Sequence, residues 1–283
     1  MSETFLSELT GSFSTPSAGN PTVAMVEAAY KHHKLNFRYI NCEVMPKDLS
    51  NAVLGARAMN WAGFNLSIPH KVSVIQYLDG LGESAAIMGA VNCVVNRNGK
   101  LIGENTDGKG FLQAFKKVDN PKGKKIAILG AGGAARAIAV ELALDGATDF
   151  LIVNRNSARG EELKKLLVEK LKVSAQYSPW PNAFKVPADI DVLINATSVG
   201  MAGSGNYDLD IDLSTLNKSM VVADVIVNPP STNFLKSAAK VGAKTIDGLG
   251  MVVNQAVIGV KYWTNFDVDG SIMHAELKRI FNL

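Results

Sequence analysis

Apolar and polar residues alternate along this chain with two different periods, and these periods predict which segments are helices and which are strands. In the N-terminal part they predict helices over residues 21–34, 47–61, 70–78 and 108–115, and strands over 36–44 and 63–68. The first helix begins with Pro21, a residue favoured in a first helical turn. Residues 91–105 predict a β-hairpin, because Asn98-Gly99 accepts the positive φ angles of a tight turn.

The C-terminal part has a different order of predicted elements, which begins after a polar and basic stretch at residues 116–125. A strand over 124–130 leads through a glycine-rich turn to a helix over 131–146 and a strand over 147–155. Further strands are predicted over 191–197, 220–227 and 243–247, and a helical tail follows from residue 252. This alternation predicts an α/β protein with domains at 1–118 and 119–248. Helices in 249–283 are expected to return to the first domain.

Composition narrows the function classes. Apolar residues make up 47% of the 283 residues and charged residues 19%, so a sizeable core is expected. A formal net charge of +3 without a dense basic run argues against nucleic-acid binding. No apolar stretch approaches the ~20 residues that span a bilayer, and "MSETFLSELT" has no basic region typical of a signal peptide. Cys42 and Cys93 have no metal-site spacing and suit free thiols in the cytoplasm.

A glycine-rich turn at residues 130–135, "GAGGAA", fits the pattern G-x-G-x-x-G/A. Gly130 permits the tight turn, Gly132 lets a pyrophosphate approach the backbone, and Ala135 lets helix and strand pack closely. Phosphates are then held at the start of a helix, where N–H groups and the helix dipole favour anions. Ordinary strand-to-helix turns use the same small residues. Because this one lies between a predicted strand and helix, the context favours dinucleotide binding.

The end of the next strand indicates which dinucleotide is bound. Enzymes that use NAD usually have Asp or Glu there to hold the ribose hydroxyls. Here the residues are Asn154, Arg155 and Asn156, with Arg159 one turn later, and no carboxylate is present. Guanidinium groups bind phosphate through forked donors, so NADP is predicted. The alternative is a solvated loop with scattered arginines.

Three polar side chains of the N-terminal part are candidates for catalysis. Lys71 follows the strand at 63–68, Asn92 lies in "GAVNC" and Asp107 lies in "GENTDGKGF". If these strands are neighbours, the three side chains converge, and a lysine with an aspartate suits proton transfer to or from an alcohol. The alternative is an Asp107 that caps a helix beside an exposed Lys71. Spacing alone does not decide between the two.

Seven stretches, in this order, resemble the shikimate dehydrogenase family over nearly the whole chain: "NLSIPHK", "GAVNC", "ENTDGKGF", "GAGGAARA", "NRNSAR", "NATSVGM" and "DGLGMVVNQA". The resemblance implies an N-terminal substrate domain, a Rossmann domain that binds NADP and C-terminal helices that return to the first domain. It implies reduction of 3-dehydroshikimate, a cyclic hydroxy acid, to shikimate with NADPH in aromatic amino acid biosynthesis. It also implies a cytoplasmic monomer or homodimer that needs no metal.

The resemblance also assigns roles to individual residues. Lys71 matches the family's catalytic lysine and Asp107 its partner aspartate. The implied substrate-binding residues are Asn20, Thr22, Ser67, Asn92 and Gln255. The implied cofactor-binding residues are Gly130, Ala131, Gly132, Gly133, Ala134, Asn154, Arg155, Asn156, Arg159, Val225 and Gly248.

The chain departs from the family at two places, both of which bear on the acid group of the substrate. The family usually opens with H-S-L-S-P, whose serines bind this carboxylate, whereas "GNPTV" here offers Asn20 and Thr22. Ser14 and Ser17 are alternatives. Val227 replaces the tyrosine of the family's D-x-x-Y-x-P stretch. We therefore expect the redox chemistry to be intact and leave the substrate open among shikimate, quinate and an aminated analogue.

Two other function classes fit parts of the pattern. Methylenetetrahydrofolate dehydrogenases share the two-domain plan and a catalytic lysine, but "NTDG" and "MVVNQA" favour the shikimate dehydrogenase family. A non-enzymatic regulator that binds NADPH would not need both Lys71 and Asp107.

Overall fold

The described strands form two six-stranded sheets, one in each of two compact units, and a separate two-stranded sheet. The computed structural model describes residues 5–180, 183–203, 205 and 208–283. The first unit runs to Thr106 and includes Gln255–Leu283, and the second unit is Asp107–Asn254. Residues 1–4 lie outside the described residues. They begin the stretch in which the sequence predicts no signal peptide.

The sheet of the first unit has the strand order β2-β1-β3-β5-β6-β4. Its elements are β1 Glu8–Ser14, α1 Thr22–His32, β2 Phe37–Glu43, α2 Leu49–Ala58, β3 Gly63–Leu66, α3 His70–Ser73, β4 Gly80–Leu81, α4 Glu83–Met88, β5 Cys93–Arg97 and β6 Lys100–Glu104. Strand β1 pairs in parallel with β2 and β3, whereas β5 is antiparallel to β3 and β6. The β5–β6 turn has positive φ at Asn98 and Gly99, which confirms the predicted hairpin.

Strand β1 has no counterpart among the predicted elements, although it lies inside the sheet. Its alternate residues Thr10, Ser12 and Ser14 are polar yet buried, so the segment lacks the apolar pattern of a core strand. Thr10 donates to the carbonyl of Arg38 at 2.8 Å, and Ser12 donates to Asn41 at 2.8 Å. These hydrogen bonds offset the cost of removing the hydroxyls from water.

The helix predicted over 70–78 is divided into two short pieces. Helix α3 ends at Ser73, and a 3₁₀ turn over Val74–Tyr77 follows. Another 3₁₀ turn, Pro46–Asp48, precedes α2. The C-terminal helices are α9 Gly248–Thr264 and α10 Gly270–Phe281. Trp263 in α9 donates to the carbonyl of Val94 at 2.9 Å, and α10 packs on α1, so the predicted return to the first domain is confirmed.

The sheet of the second unit has the strand order β14-β13-β11-β7-β8-β9, with every pair parallel. Its elements are α5 Asp107–Lys116, β7 Lys125–Leu129, α6 Gly133–Leu144, β8 Asp149–Asn154, α7 Ser157–Leu171, β9 Ser174–Pro179, β10 Phe184–Lys185, β11 Val192–Asn195, β12 Ile211–Asp212, β13 Val221–Asp224, α8 Asn233–Lys240 and β14 Lys244–Ile246. The order is that of a Rossmann sheet, in which ligands bind outside the carboxyl ends of the strands where the order reverses. That reversal lies between β7 and β11.

Continuous apolar runs explain why the central strands of the second unit are buried on both faces. Ile126, Ile128 and Ile194 belong to a cluster on one face, which also holds residues of α6. Their neighbours Leu129 and Leu193 belong to a cluster on the other face, which also holds residues of α8. No described helix is both long and apolar enough to cross a membrane.

The compact units divide between Thr106 and Asp107, whereas the sequence places the first domain boundary at 118/119. The difference arises because α5 packs closely on α6 within the second unit. Gly108 makes this approach possible. A Cβ atom there would lie 2.2 Å from the carbonyl oxygen of Ala137 and 2.6 Å from Cγ of Glu141.

We expect Gly108→Ala to lower the free energy of unfolding by about 1–3 kcal/mol, because the added methyl group overpacks the α5–α6 contact. Gly55→Ala is the matched control in α2. A Cβ atom at Gly55 meets only Cε of Met59, at 3.9 Å, so alanine there should stabilise by about 0.5–1 kcal/mol. Denaturant unfolding of both variants measures the difference. Equal shifts for both variants would contradict the proposed clash.

Candidate active site

The carboxyl end of β3 leads directly into the turn that carries Lys71. The backbone N–H of Ser67 donates to the carbonyl of Phe13 at 3.2 Å, which holds the turn against β1. The carbonyl of Ser67 accepts from the N–H of His70 at 2.8 Å and begins α3. Ser67 and Lys71 therefore lie one helical turn apart at the same edge of the sheet.

His70 anchors this turn through its buried side chain. It was not among the predicted site residues. Its side chain is fully buried, and its Nε2 lies 2.7 Å from the carbonyl of Val44 at the end of β2. On the other side, the carbonyl of Lys71 accepts from the N–H of Val91 at 2.7 Å. The Lys71 backbone is thus held between two neighbouring segments. The only sequence signal for His70 is its place directly before the candidate lysine.

Asn92, Thr106 and Gln255 form one hydrogen-bonded group in the first unit. Oδ1 of the buried Asn92 accepts from the N–H of Thr106 at 2.7 Å, and Nδ2 of Asn92 donates to Oγ1 of Thr106 at 3.0 Å. Oγ1 of Thr106 lies 3.4 Å from Oε1 of Gln255 in α9. Two of the predicted substrate-binding residues are therefore brought together, and Thr106 joins them as a residue that sequence reasoning missed. The N–H of Leu66 donates to Asn92 at 2.8 Å, which ties the group to β3.

Asp107 directly follows Thr106 and is the first residue of α5 in the second unit. A carboxylate at the start of a helix is stabilised by the helix dipole. Asp107 therefore lies at a helix start, which agrees with the alternative interpretation of Asp107 in the sequence analysis. This interpretation does not compete with a catalytic role, because a half-buried carboxylate oriented by a helix start is also suited to proton transfer.

Asn20 is committed to contacts within the chain. Its Oδ1 accepts from the N–H of Thr22 at 3.0 Å, and its Nδ2 lies 3.3 Å from Oγ of Ser12. Nδ2 of Asn41 donates to the carbonyl of Asn20 at 3.0 Å. Asn20 thus lies two residues before α1 and its Oδ1 holds the N–H of the first helical residue. Its role toward the substrate's acid group stays a prediction. The substrate role of Thr22 likewise stays a prediction.

The two serines considered as alternatives have different surroundings. Ser17 donates to Oε2 of Glu43 from both its backbone N–H, at 2.7 Å, and its hydroxyl, at 2.8 Å. Hydrogen bonds from Thr15 and Ser17 lower the pKa of Glu43. The hydroxyl of Ser14 is buried at the end of β1 and has no hydrogen-bond partner among the described residues. Of these two serines, Ser14 is the one whose hydroxyl is uncommitted among the described residues.

The glycine-rich turn of the second unit lies where the strand order reverses. Gly130 has a φ of +106°, and a Cβ atom there would lie 3.0 Å from the carbonyl oxygen of Ala196 beyond β11. Its N–H donates to the carbonyl of Val153 at 2.8 Å. Ala135 is fully buried in the first turn of α6, as the predicted close packing requires.

The turn is open on the side where a pyrophosphate would be held. Cβ atoms added at Gly132 or Gly133 would meet no atom within 4 Å, so side chains there would fill this space. No side chain caps the start of α6, whose first N–H groups point the same way. With Gly132 and Gly133 exposed and Ala131 and Ala134 half-buried, this cradle fits a dinucleotide phosphate.

The carboxyl end of β8 presents the residues predicted to hold a 2′-phosphate. Nδ2 of Asn154 donates to the carbonyl of Asn156 at 2.8 Å, and Oδ1 of Asn156 caps α7 by accepting from the N–H of Arg159 at 3.0 Å. The guanidinium carbon of the exposed Arg155 lies 5.6 Å from the ring centroid of Trp180. Stacking on Trp180 orders the Arg155 side chain before a phosphate is bound. No motif in the sequence indicated Trp180.

A buried polar group holds the loops that follow β11 and β13. Asp224 accepts from Thr232 at 2.7 Å, from Asn195 at 3.0 Å and from the N–H of Ile226 at 3.1 Å. Burial raises the pKa of Asp224, and the hydrogen bond from Thr232 opposes this increase. The N–H of the predicted cofactor residue Val225 donates to the carbonyl of Asn195 at 3.0 Å.

Gly248 lies against the same loop. A Cβ atom at Gly248 would be 2.4 Å from the carbonyl oxygen of Ile226, so only glycine fits. Val225 and Gly248 are therefore brought together beside Asp224. The sequence contained Asp224 in "DVIVNP" and Asn195 in "NATS", but it did not indicate that they bind each other.

We expect Thr232→Val to lower the free energy of unfolding by about 2–4 kcal/mol. The hydroxyl of Thr232 donates to the buried Asp224 and also accepts from the N–H of Leu235 as the cap of α8, and valine does neither. Thr232→Ser, which keeps the hydroxyl, should lose less than half as much. Denaturant unfolding measures both variants, and a valine variant as stable as the serine variant would show that the hydroxyl is dispensable.

Among the described residues, no group of His, Cys, Asp and Glu side chains is arranged to hold a metal ion.

Two family models match the chain. The shikimate dehydrogenase substrate binding domain matches residues 19–94, and the shikimate / quinate 5-dehydrogenase domain matches residues 113–252. The NADP(+)-dependent shikimate dehydrogenase of Desulforamulus reducens is 39% identical over 280 residues, which cover 96% of each chain.

Solved structures are similar over the same extent. The 5-ketofructose reductase of Gluconobacter sp. strain CHM43, in its ligand-free form, is 54% identical and has a TM-score of 0.95, covering 98% of this chain and 100% of its own. A shikimate 5-dehydrogenase from Listeria monocytogenes, in complex with shikimate and NAD, is 32% identical with a TM-score of 0.90, covering 98% and 99%.

Proposed function

The chain belongs to the shikimate dehydrogenase family, and from this premise we propose that it is an NADP-dependent oxidoreductase acting on a secondary hydroxyl group. It interconverts the hydroxyl and keto forms of shikimate or a close analogue. The observation that carries this proposal is the similarity over 96% of the chain to an NADP(+)-dependent shikimate dehydrogenase. The methylenetetrahydrofolate dehydrogenase and regulator alternatives have no such support.

The second unit would hold NADP at the carboxyl ends of its strands. The phosphate cradle at residues 130–134 takes the pyrophosphate, and Asn154, Arg155, Asn156 and Arg159 take the 2′-phosphate. Val225 and Gly248 border the nicotinamide. NADPH, when bound, supplies the hydride for the reaction. The absence of an acidic residue from 154 to 160 supports NADP over NAD.

Lys71 and Asp107 carry the proton transfer. Reduction of a ketone places negative charge on its oxygen, and this oxygen must receive a proton to become a hydroxyl. We assign the proton donor to Nζ of Lys71 and the partner carboxylate to Asp107. In the oxidation direction the same two groups remove the hydroxyl proton. The anchoring of Lys71 through His70 and Val91 supports this role, because proton transfer requires a donor at a fixed place.

Ser67, Asn92 and Gln255 would bind the hydroxyl groups of the substrate. Amide and hydroxyl side chains both donate and accept, which matches a ring that carries several hydroxyls. The two hydrogen bonds between Asn92 and Thr106, one donated by each residue, support this assignment, because they fix the amide orientation of Asn92. Asn20 and Thr22 are not part of this group, because the family resemblance relates them to the acid group of the substrate and not to its hydroxyls.

A second candidate substrate is 5-ketofructose. The observation that favours it is the 54% identity to a 5-ketofructose reductase, which exceeds the 39% identity to the D. reducens enzyme. The two departures from the family pattern, at residues 19–23 and at Val227, also replace residues that the resemblance relates to a substrate carboxylate. Both candidates use the same residues for hydride and proton transfer.

The test is a substrate screen with purified protein that follows NADPH at 340 nm as a function of added substrate. Shikimate and quinate are offered with NADP and with NAD, and 5-ketofructose with NADPH and with NADH. We expect turnover of at least one of the three, with NADP(H) preferred over NAD(H). Failure of all three substrates with both cofactors would overturn the proposed function.

The free thiols of Cys42 and Cys93 suit a reducing compartment, so we place the enzyme in the cytoplasm. It works there as a monomer or homodimer.

A further inference from the structure

The carboxyl edge of the first sheet carries a group of polar residues at the place where the family pattern has its acid-binding serines. We name Ser12, Ser17, Asn20, Asn41 and Glu43 the acid-end cluster. Glu43 ends β2 and is the register partner of Ser14 in β1. The N–H of Ser67, a proposed substrate-binding residue, donates to Phe13, the neighbour of Ser14. The cluster is therefore close in the sheet to the proposed substrate residues.

The donors in this cluster are directed at other members of the cluster. Both donors of Ser17 point at Glu43. Nδ2 of Asn41 lies 3.4 Å from the carbonyl of Ser17 and 3.0 Å from that of Asn20. The hydroxyl of Ser12 donates to Oδ1 of Asn41. A substrate carboxylate needs donors to replace those of water, and here the donors of Ser12, Ser17 and Asn41 are already engaged.

The cluster also carries a negative charge. The side chain of Glu43 is exposed, and its two hydrogen bonds from Ser17 hold it at the edge of the sheet. None of the other four members is a cation, so the cluster itself does not compensate this charge. An ionised Glu43 repels a second carboxylate, whereas it accepts hydrogen bonds from neutral hydroxyl groups.

We propose that Glu43 is a specificity-determining residue that excludes carboxylate substrates, and that the enzyme acts on an uncharged polyhydroxy ketone. This inference rests on the proposed oxidoreductase function and deepens it, because it favours the second candidate substrate, an uncharged ketone, over shikimate. In that case the departure at residues 19–23 changes which substrate is bound and does not merely weaken the binding of shikimate. An uncharged substrate also explains why Asn20 and Ser17 form hydrogen bonds within the chain.

The test compares Glu43→Gln with the parent enzyme on three substrates: 5-ketofructose, shikimate and the methyl ester of shikimate. Glutamine keeps an acceptor for Ser17 but removes the charge. The parent should have a higher kcat/KM for 5-ketofructose than for shikimate. Glu43→Gln should raise kcat/KM for shikimate about fivefold or more, as expected for loss of a nearby like charge. Glu43→Gln should change kcat/KM for the uncharged 5-ketofructose and for the methyl ester by less than twofold.

Glu8→Gln is the matched control, because Glu8 is an exposed glutamate at the opposite end of the same β1–β2 ladder. It should leave all three values unchanged. A parent enzyme that prefers shikimate, or a Glu43→Gln variant that changes all three substrates equally, would overturn the inference while leaving the oxidoreductase assignment intact. Inactivity of the parent on all three and on quinate, with both cofactors, would overturn the proposed function itself.

Discussion

Lys71→Ala is expected to lower kcat by about 10²–10⁴-fold, because it removes the group that transfers the proton to the reacting oxygen. The cofactor is held by residues of the second unit, so its KM should change little. Addition of a small primary amine such as ethylamine should restore part of the lost kcat, since the truncated side chain leaves room for an amine in the place of Nζ. Steady-state kinetics with and without the amine measure both effects.

Lys47→Ala is the control for this experiment. Lys47 is an exposed lysine in the 3₁₀ turn before α2 and has no proposed role, so kcat should stay at the parent value. The thermal unfolding of Lys71→Ala should match that of the parent, because its backbone contacts do not depend on the side chain. A Lys71→Ala variant with kcat within a few-fold of the parent would show that another group transfers the proton.

Arg155→Ala is expected to raise the KM for NADP about 10- to 100-fold and to leave the KM for NAD nearly unchanged. One hydrogen bond to a charged partner is worth roughly 1.5–3 kcal/mol, which corresponds to this range. Only NADP carries the 2′-phosphate, so the loss should be specific to it. Because Trp180 orders the guanidinium beforehand, little side-chain entropy is lost when the phosphate is bound.

Arg279→Ala provides the matched comparison, since Arg279 is an exposed arginine of α10 that pairs with Glu276. It should change neither KM. Trp180→Ala should produce a smaller version of the Arg155→Ala effect, because it removes the stacking partner and leaves the charge. If Arg155→Ala raised the KM values for NADP and NAD equally, Arg155 would be binding a part that both cofactors share.

The Arg155 and Glu43 experiments address opposite ends of the reaction. In the proposed function Arg155 selects the cofactor that brings the hydride, and in the further proposal Glu43 selects the ketone that receives it. Neither substitution should affect the proton transfer assigned to Lys71. Combining Glu43→Gln with Arg155→Ala should therefore give additive changes in free energy, as expected for residues without shared partners.

Much of the fold could be predicted because its signals are local. The β5–β6 hairpin follows from Asn98-Gly99, and the central strands of the second sheet follow from short apolar runs between turns. The glycine turn could likewise be recognised, because Gly130 adopts a φ that other residues avoid and Gly132 faces open space. In each case the residue types themselves restrict the backbone.

The missed elements depend on partners far away in the chain. Strand β1 carries buried hydroxyls that are satisfied by β2 and α1, so its own composition gives no strand signal. The helix expected over 70–78 changes to a 3₁₀ turn at Val74, and no pattern within the segment indicates this. The unit boundary at Thr106 likewise depends on the packing of α5 on α6.

The sequence by itself determined the α/β class, the Rossmann turn, the arginines beside it and the candidate pair Lys71 and Asp107. These are properties of residue type and spacing, which the chain carries before it folds. Only the tertiary structure decided that His70 anchors Lys71 and that Asp224 holds the cofactor loop. It also decided that Ser17 donates to Glu43 instead of to a substrate. The physical reason is that a donor can be used once, and only the folded chain shows which acceptor it meets.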